Sequence, residues 1–325
     1  MISIIIPHFN RSLLLRETLH SVLKQTVKGW EIIIVDDGST QVEWDNVKNY
    51  EVLDSRIKVY QRQSIHKGPS ACRNEGADKA NFSCLVFLDS DDLLKPFCLE
   101  QRMSFMESHP SVEIAVFKEE NFKAIPGDLN SYFNIDLPYD QLLSSFLQNK
   151  NPWQTMAPIW KQSFFKKLGG FDADLIYMED PELHIRALLE EDTKVGICYD
   201  FPADCFYRIN FSDDSKKDFY YNSIYYRILF YDKIITVFAA KGLLAKYLQD
   251  IKKGIYRLIK LFMYSRINEF PELFQQLLAV LNNKQVFTTY EKNKIKWLVE
   301  LGSSQTPLAR MLKLKGLCYK MFPPV

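Results

Sequence analysis

Three short apolar runs constrain the fold more than anything else in the chain. Ile2–Ile6, Ile32–Val35 and Leu85–Leu88 are dominated by aliphatic side chains, and all are too short for a buried helix. Each therefore reads as a strand covered on both faces. Polar clusters stop them: Pro7-His8-Phe9-Asn10, Asp36-Asp37-Gly38-Ser39-Thr40 and Asp89-Ser90-Asp91-Asp92. Between the runs lie stretches of helical spacing. Leu15, Leu19, Val22 and Leu23 mark a helix over 11–25, and Gly68-Pro69 opens a second over 69–80. Lys58–Gln61 and Val112–Phe117 read as further strands. Strands alternating with helices predict an α/β fold with a mostly parallel sheet flanked by helices. In such sheets ligands bind beyond the carboxyl ends of the strands, where the three polar clusters meet.

A second set of elements follows. Trp153–Trp160 reads as irregular, and Gln162–Leu168 as a helix closed by Gly169-Gly170. A helix runs from Glu179-Asp180-Pro181 to about Glu191, and Val195–Ile209 reads as extended. Ser212–Asp218 reads as a linker, which predicts one domain over 1–215 and a helical region over 216–325. Charge divides the same way. The chain carries +1 in total, but residues 216–325 hold a net +12 and residues 1–215 a net −11. The near-zero total gives no footprint for a nucleic-acid partner. Six cysteines without a C-x-x-C pair argue against a zinc or disulfide scaffold and for a reducing, cytoplasmic location. Ile2 already begins a strand-like run, leaving no room for a signal core, and no apolar stretch of spanning length is found in the back region.

The chemistry lies at the strand ends. Asp89 and Asp91, two residues apart beyond a buried strand, can share a hard cation such as Mg²⁺ or Mn²⁺, or can cap a turn before the helix-like stretch Leu93–Glu107. Three acids in four residues exceed what a cap requires, and like charges at that density call for a cation. Asp36-Asp37-Gly38-Ser39-Thr40 can read ribose or base groups, or can be an ordinary turn. Neither G-x-G-x-x-G nor a P-loop is present, so a diphosphate here would need a metal to offset its charge. Asp180, just before Pro181, can be a helix N-cap or a carboxylate at a pocket mouth.

Five segments together resemble the family 2 glycosyltransferases with the GT-A fold: Ile2–Asn10, Glu31–Thr40, Gly68–Gly76, Leu85–Asp92 and Gly169–Arg186. The resemblance covers about residues 2–215 and implies inverting transfer of a sugar from a nucleotide sugar, with uridine the expected base, to an acceptor hydroxyl. It implies that Pro7 and Phe9 line the base pocket with Asn10 beside them, that Asp37 faces the base next to Asp36, and that Arg73 reaches the nucleotide. Asp89 would lie near ribose and metal, Asp91 would ligate Mn²⁺ or Mg²⁺, and Asp180 would be the general base, with Glu179 as base or acceptor-orienting group. His8 and Phe9 depart from the usual small residue and Tyr, and Gln41 stands where an acid is common. The Q-x-x-R-W motif of processive synthases is missing, which favours transfer of one residue.

Tyr207-Arg208 resembles a late Tyr-Arg step that can meet the diphosphate; an ion pair is the other reading. His184 reads as structural, and Trp153 and Trp160 read either as core or as stacking platforms for a sugar ring. The expected acceptor is a surface glycan or a lipid-linked glycan. In the basic region, Lys252, Lys253, Arg257 and Lys260, and later Arg310, Lys313, Lys315 and Lys320, read equally as a peripheral membrane patch or as a face packing on the catalytic domain or on a second copy in a homo-oligomer. Two other functions compete: a sugar-phosphate nucleotidyltransferase, which would want a glycine-rich basic loop after the first strand, and a catalytically silent nucleotide-sugar-binding protein.

Overall fold

The computed structural model describes residues 1–209, 216–284 and 286–304. In chain order the elements are β1 (Ile2–His8), α1 (Ser12–Leu23), β2 (Trp30–Asp36), α2 (Gln41–Lys48), β3 (Ile57–Gln61), α3 (Pro69–Asp78), β4 (Cys84–Phe87), β5 (Leu93–Leu94), α4 (Cys98–Ser108), β6 (Ile114–Val116) and β7 (Glu119–Phe122). Then come α5 (Tyr139–Leu147), β8 (Pro158–Lys161), α6 (Gln162–Lys167), α7 (Glu179–Leu189), β9 (Val195–Ile197), β10 (Cys205–Arg208), α8 (Lys216–Ala240), α9 (Leu244–Leu258), α10 (Pro271–Lys284) and α11 (Thr289–Ser303).

The chain divides into two units. The first holds a seven-stranded sheet in the order β3-β2-β1-β4-β8-β6-β9. β3, β2, β1 and β4 run parallel, and β8 lies antiparallel between β4 and β6. A smaller sheet, β5-β10-β7, stands beside it. The period of two is visible in β1. Ile2, Ile4 and Ile6 join the cluster that includes Leu15, Leu19 and Val22 of α1. Ile5 points the other way, toward α3, where a Cβ on Gly76 would come within 2.3 Å of its Cγ2. Ile5 is fully buried and has nowhere to yield. Gly76→Ala should therefore cost about 1–3 kcal/mol of overpacking, more than the ~1 kcal/mol that helix propensity returns. A lowered urea midpoint with an unchanged slope would bear this out; an unchanged midpoint would contradict it.

The structure corrects several expectations. Pro7 lies within β1 instead of ending it. The segment read as irregular contains β8, which inserts into the main sheet with a proline at its first position, one of the few places a strand admits one. α2 was not expected; Thr40 caps it by accepting from Glu43 N. The stretch after Asp92 first forms β5, and α4 starts only at Cys98.

The second unit gathers Pro138–Lys150 with the C-terminal helices, so it begins well before residue 216. Within it, Tyr231 donates to the Leu147 carbonyl at 3.1 Å, and Gly254 leaves the space both occupy. Ser144 and Gln148 of α5 hold Asp250 of α9. The four cations on and just after α9 do not form one exposed face: Lys252 is buried and paired with Glu291 at 2.8 Å, Arg257 and Lys260 are half-buried, and Lys253 is exposed. Arg310, Lys313, Lys315 and Lys320, and most of the expected linker, lie outside the described residues. Among the described residues no helix is long and apolar enough to cross a membrane, and the five described cysteines are free thiols.

Candidate active site

The rim is built from loops that hydrogen-bond to one another. Asp36, at the end of β2, is fully buried. Its Oδ2 accepts from Gly38 N and Ser39 N at 3.0 and 2.9 Å, and its Oδ1 accepts from Ser39 Oγ and meets His8 Nδ1 at 2.9 Å. Arg11 N donates to His8 Nε2, which assigns the His8 proton to Nδ1 and makes that ring the donor to Asp36. Burial works to raise the Asp36 carboxyl, but the bonds from His8 and Ser39 outweigh it and hold it below the usual range. Asp36 thus shapes the loop from inside and offers no surface to a nucleotide. Asn10, with φ 50°, zips the β1 loop to the β2 loop: its side-chain carbonyl accepts from Thr40 N, and its own backbone N–H donates to Ser39 Oγ. Phe9 is left 53% exposed at the rim, next to half-buried Pro7. Asp37 is partly exposed, and its oxygens are held by Arg62 Nε at 2.5 Å and Gly68 N at 2.9 Å.

One face of α3 carries the far side of the site. Ser70, Arg73 and Asn74 stand at i, i+3 and i+4 and so point the same way. Ser70 Oγ donates to the Leu175 carbonyl, and Asn74 clamps Phe171 by both its N–H and its carbonyl. Gly170 precedes it at φ 74°, where a Cβ would strike Asn74 Oδ1 at 2.5 Å; no other residue fits both constraints. Arg73 completes the row. It is nearly fully buried, and it donates to Glu179 Oε1 at 3.0 Å and to Asp89 Oδ1 at 2.6 Å. Arg73, expected to reach the nucleotide, has its guanidinium joining Asp89 after the end of β4 to Glu179 at the start of α7.

α7 starts at Glu179, after Met178 in the left-handed region at φ 68°. Asp180 is therefore its second residue and Pro181 its third, so Asp180 is not the N-cap. Glu179 is bound by Arg73, whereas no side chain among the described residues hydrogen-bonds or ion-pairs with Asp180. Burial, then the Glu179 charge, push the Asp180 carboxyl well above its ordinary range; Arg73 only partly opposes them. Burial also raises Glu179.

On the opposite side, Asp91 Oδ2 accepts from Arg11 Nη1 at 2.9 Å. Burial, then the Asp89 charge, raise the Asp91 carboxyl. Buried Asp92 accepts from Arg208 N, and Arg208 Nε donates to the Asp91 carbonyl while its Nη2 pairs with Glu17. Of the two readings of Arg208, the structure gives the ion pair. Tyr207, its neighbour in β10, is half-buried. Its phenol is pushed up by burial first and then by the charges of Asp92, Asp89 and Asp180, and its ring packs edge-on against Phe133 at 5.4 Å. Trp153, Trp160 and His184 are core, with His184 stacked on Trp160 at 5.8 Å and pushed down to about 3 by burial.

Among the described residues no three His, Cys, Asp or Glu side chains cluster to hold a metal by themselves. Mg²⁺ and Mn²⁺ do not require that, because they commonly take one or two carboxylates and complete their shell with water and substrate phosphates. Asp89 and Asp91, two residues apart and each already paired with an arginine, fit that kind of site.

The sequence profile of glycosyl transferase family 2 matches residues 3–165, half of the chain. The chain belongs to glycosyl transferase family 2. A relative in Campylobacter jejuni, GalNAc(5)-diNAcBac-PP-undecaprenol beta-1,3-glucosyltransferase, is 39% identical over 93 residues, which is 29% of this chain and 30% of that one. The matched stretch spans less than half the length of such curated relatives. In fold, this family 2 protein is similar to S. aureus TarS 1–349, solved with UDP-GlcNAc, at a TM-score of 0.62 and 19% identity over 98% of this chain and 88% of that one. The mannosyltransferase PcManGT of Pyrobaculum calidifontis, solved with GDP-Man and Mn²⁺, matches at a TM-score of 0.53 and 14% identity, over 98% of this chain and 84% of that one. The GT-A expectation holds, with a mostly parallel central sheet.

Proposed function

We propose that this protein moves one sugar, with inversion, from a nucleotide sugar to an acceptor hydroxyl in the assembly of a surface polysaccharide or glycolipid. The observation that carries the reading is the Arg73 bridge. It joins Asp89, beside Asp91, to Glu179, beside Asp180, so carboxylates about ninety positions apart serve one centre. In single displacement the acceptor oxygen bonds to C1 as the C1–diphosphate bond breaks, and a base must take the hydroxyl proton. Asp180 suits that part. Its carboxylate is not neutralised by a side-chain bond, and its raised proton affinity makes it a stronger base than an ordinary aspartate. Glu179, tied to Arg73, serves to hold Arg73 and the start of α7.

Asp91 and Asp89 would hold Mn²⁺ or Mg²⁺, which when bound stabilises the charge of the departing diphosphate. Phe9 stacks on the base, with Pro7 and Asn10 forming the pocket edge and Asp37 at its floor. The TarS and Campylobacter likenesses support a UDP donor and a lipid-linked acceptor. The test is release of UDP from a panel of UDP-sugars with simple acceptors. Turnover should vanish on chelation and return with added Mn²⁺, and Asp91→Asn should lower it by about 10²-fold or more. Full turnover after exhaustive chelation would remove the metal; nucleotide-sugar binding without turnover on any acceptor would favour a silent binding protein.

A further inference from the structure

The side chain of Arg11 stands where a cation is wanted. It leaves the start of α1, and its backbone N–H is fixed by His8 Nε2. From there it crosses the rim to Asp91, eighty positions away in sequence, and its Nη1 takes Asp91 Oδ2 at 2.9 Å. The Asp91 side chain is 13% exposed and that of Arg11 is 49% exposed, so the mostly buried carboxylate is paired with a cation that stands largely in solvent. A divalent ion bound at Asp91 Oδ2 would meet the guanidinium already there and repel it.

We infer that Arg11 is a displaceable counter-ion: it neutralises Asp91 before the donor arrives, yields that oxygen to the metal, and turns to the incoming diphosphate. The inference rests on the proposed reading of Asp91 as a metal ligand. Its chemical logic is exchange of like partners. The metal replaces the guanidinium on the carboxylate, and the diphosphate replaces the carboxylate on the guanidinium, whose planar fork suits phosphate oxygens. Metal and nucleotide binding are then coupled through one side chain, and each strengthens the other.

Mn²⁺ titrations of the full chain, followed by electron paramagnetic resonance with and without UDP, test this without reference to turnover. Without UDP, Arg11→Gln should bind Mn²⁺ about two- to fivefold more tightly than the wild type, because the competing cation is gone. UDP should enhance Mn²⁺ binding less in Arg11→Gln than in the wild type, and Arg11→Lys should restore part of that enhancement. Arg11 is half exposed, so these variants should fold, and matching circular dichroism spectra would verify it. If Arg11→Gln binds Mn²⁺ no more tightly than the wild type, or retains the full enhancement by UDP, the role of Arg11 is overturned while the reading of Asp91 stands. If no form takes up Mn²⁺ even with UDP, both fall.

Discussion

Asp180→Asn should lower turnover by about 10²–10⁴-fold while leaving the affinity for UDP in place. The replacement keeps the shape of the side chain and removes only its ability to accept a proton. Glu179→Gln should instead act through Arg73, loosening the start of α7 and lowering stability together with turnover. The pH profile separates the two. A base must be ionised to work, and Asp180 is held well above the ordinary aspartate range by burial and by Glu179. The acid limb of kcat/KM should therefore fall at a higher pH than an unperturbed aspartate near ~4 would give. Activity should be lost as pH drops through that raised value and recovered above it. Residual turnover of Asp180→Asn should lack this limb. An Asp180→Asn enzyme with normal turnover, or an unchanged acid limb in the variant, would assign the proton to another group.

Arg73→Met should be the most destabilising substitution at the site, by about 3–5 kcal/mol. Methionine fills much of the volume but leaves Asp89 and Glu179 facing each other with no cation between them. The loss is that of an uncompensated charge in a buried setting, which exceeds the net worth of the original bonds. Adding Glu179→Gln to Arg73→Met should restore part of the stability, since one of the stranded charges is removed. Urea unfolding of the single and double variants measures this. A single variant as stable as the wild type would mean that Arg73 does not hold the two acid groups together.

The strands β1, β2 and β4 and the polar clusters at their ends were legible because fully buried strands leave a short aliphatic run, whatever the rest of the chain does. Helix α3 was legible from Gly68-Pro69. β8 was not, because a four-residue segment containing proline and tryptophan has no period to detect; its partners β4 and β6 impose the strand. The grouping of 138–150 with the C-terminal helices was equally hidden, since it depends on Tyr231, Asp250 and Gly254, a hundred residues away. At the site, residue types pointed to acids and a rim, but not to which acid faces which partner. Asp36 and Asp37 are adjacent and chemically identical, yet only the first is locked inside by His8 and Ser39. Arg11 carried no motif of its own; its meaning comes from a contact eighty positions away.

The most direct test is the location of Mn²⁺ by anomalous scattering in crystals grown with UDP. The ion should be bonded to the Asp91 carboxylate and to the diphosphate, with Arg11 moved off Asp91 and the Asp180 carboxylate facing the open side of the terminal phosphate. UDP bound away from the rim of β1, β2 and β4, or an ion held by other residues with Asp180 turned out of the cleft, would contradict it.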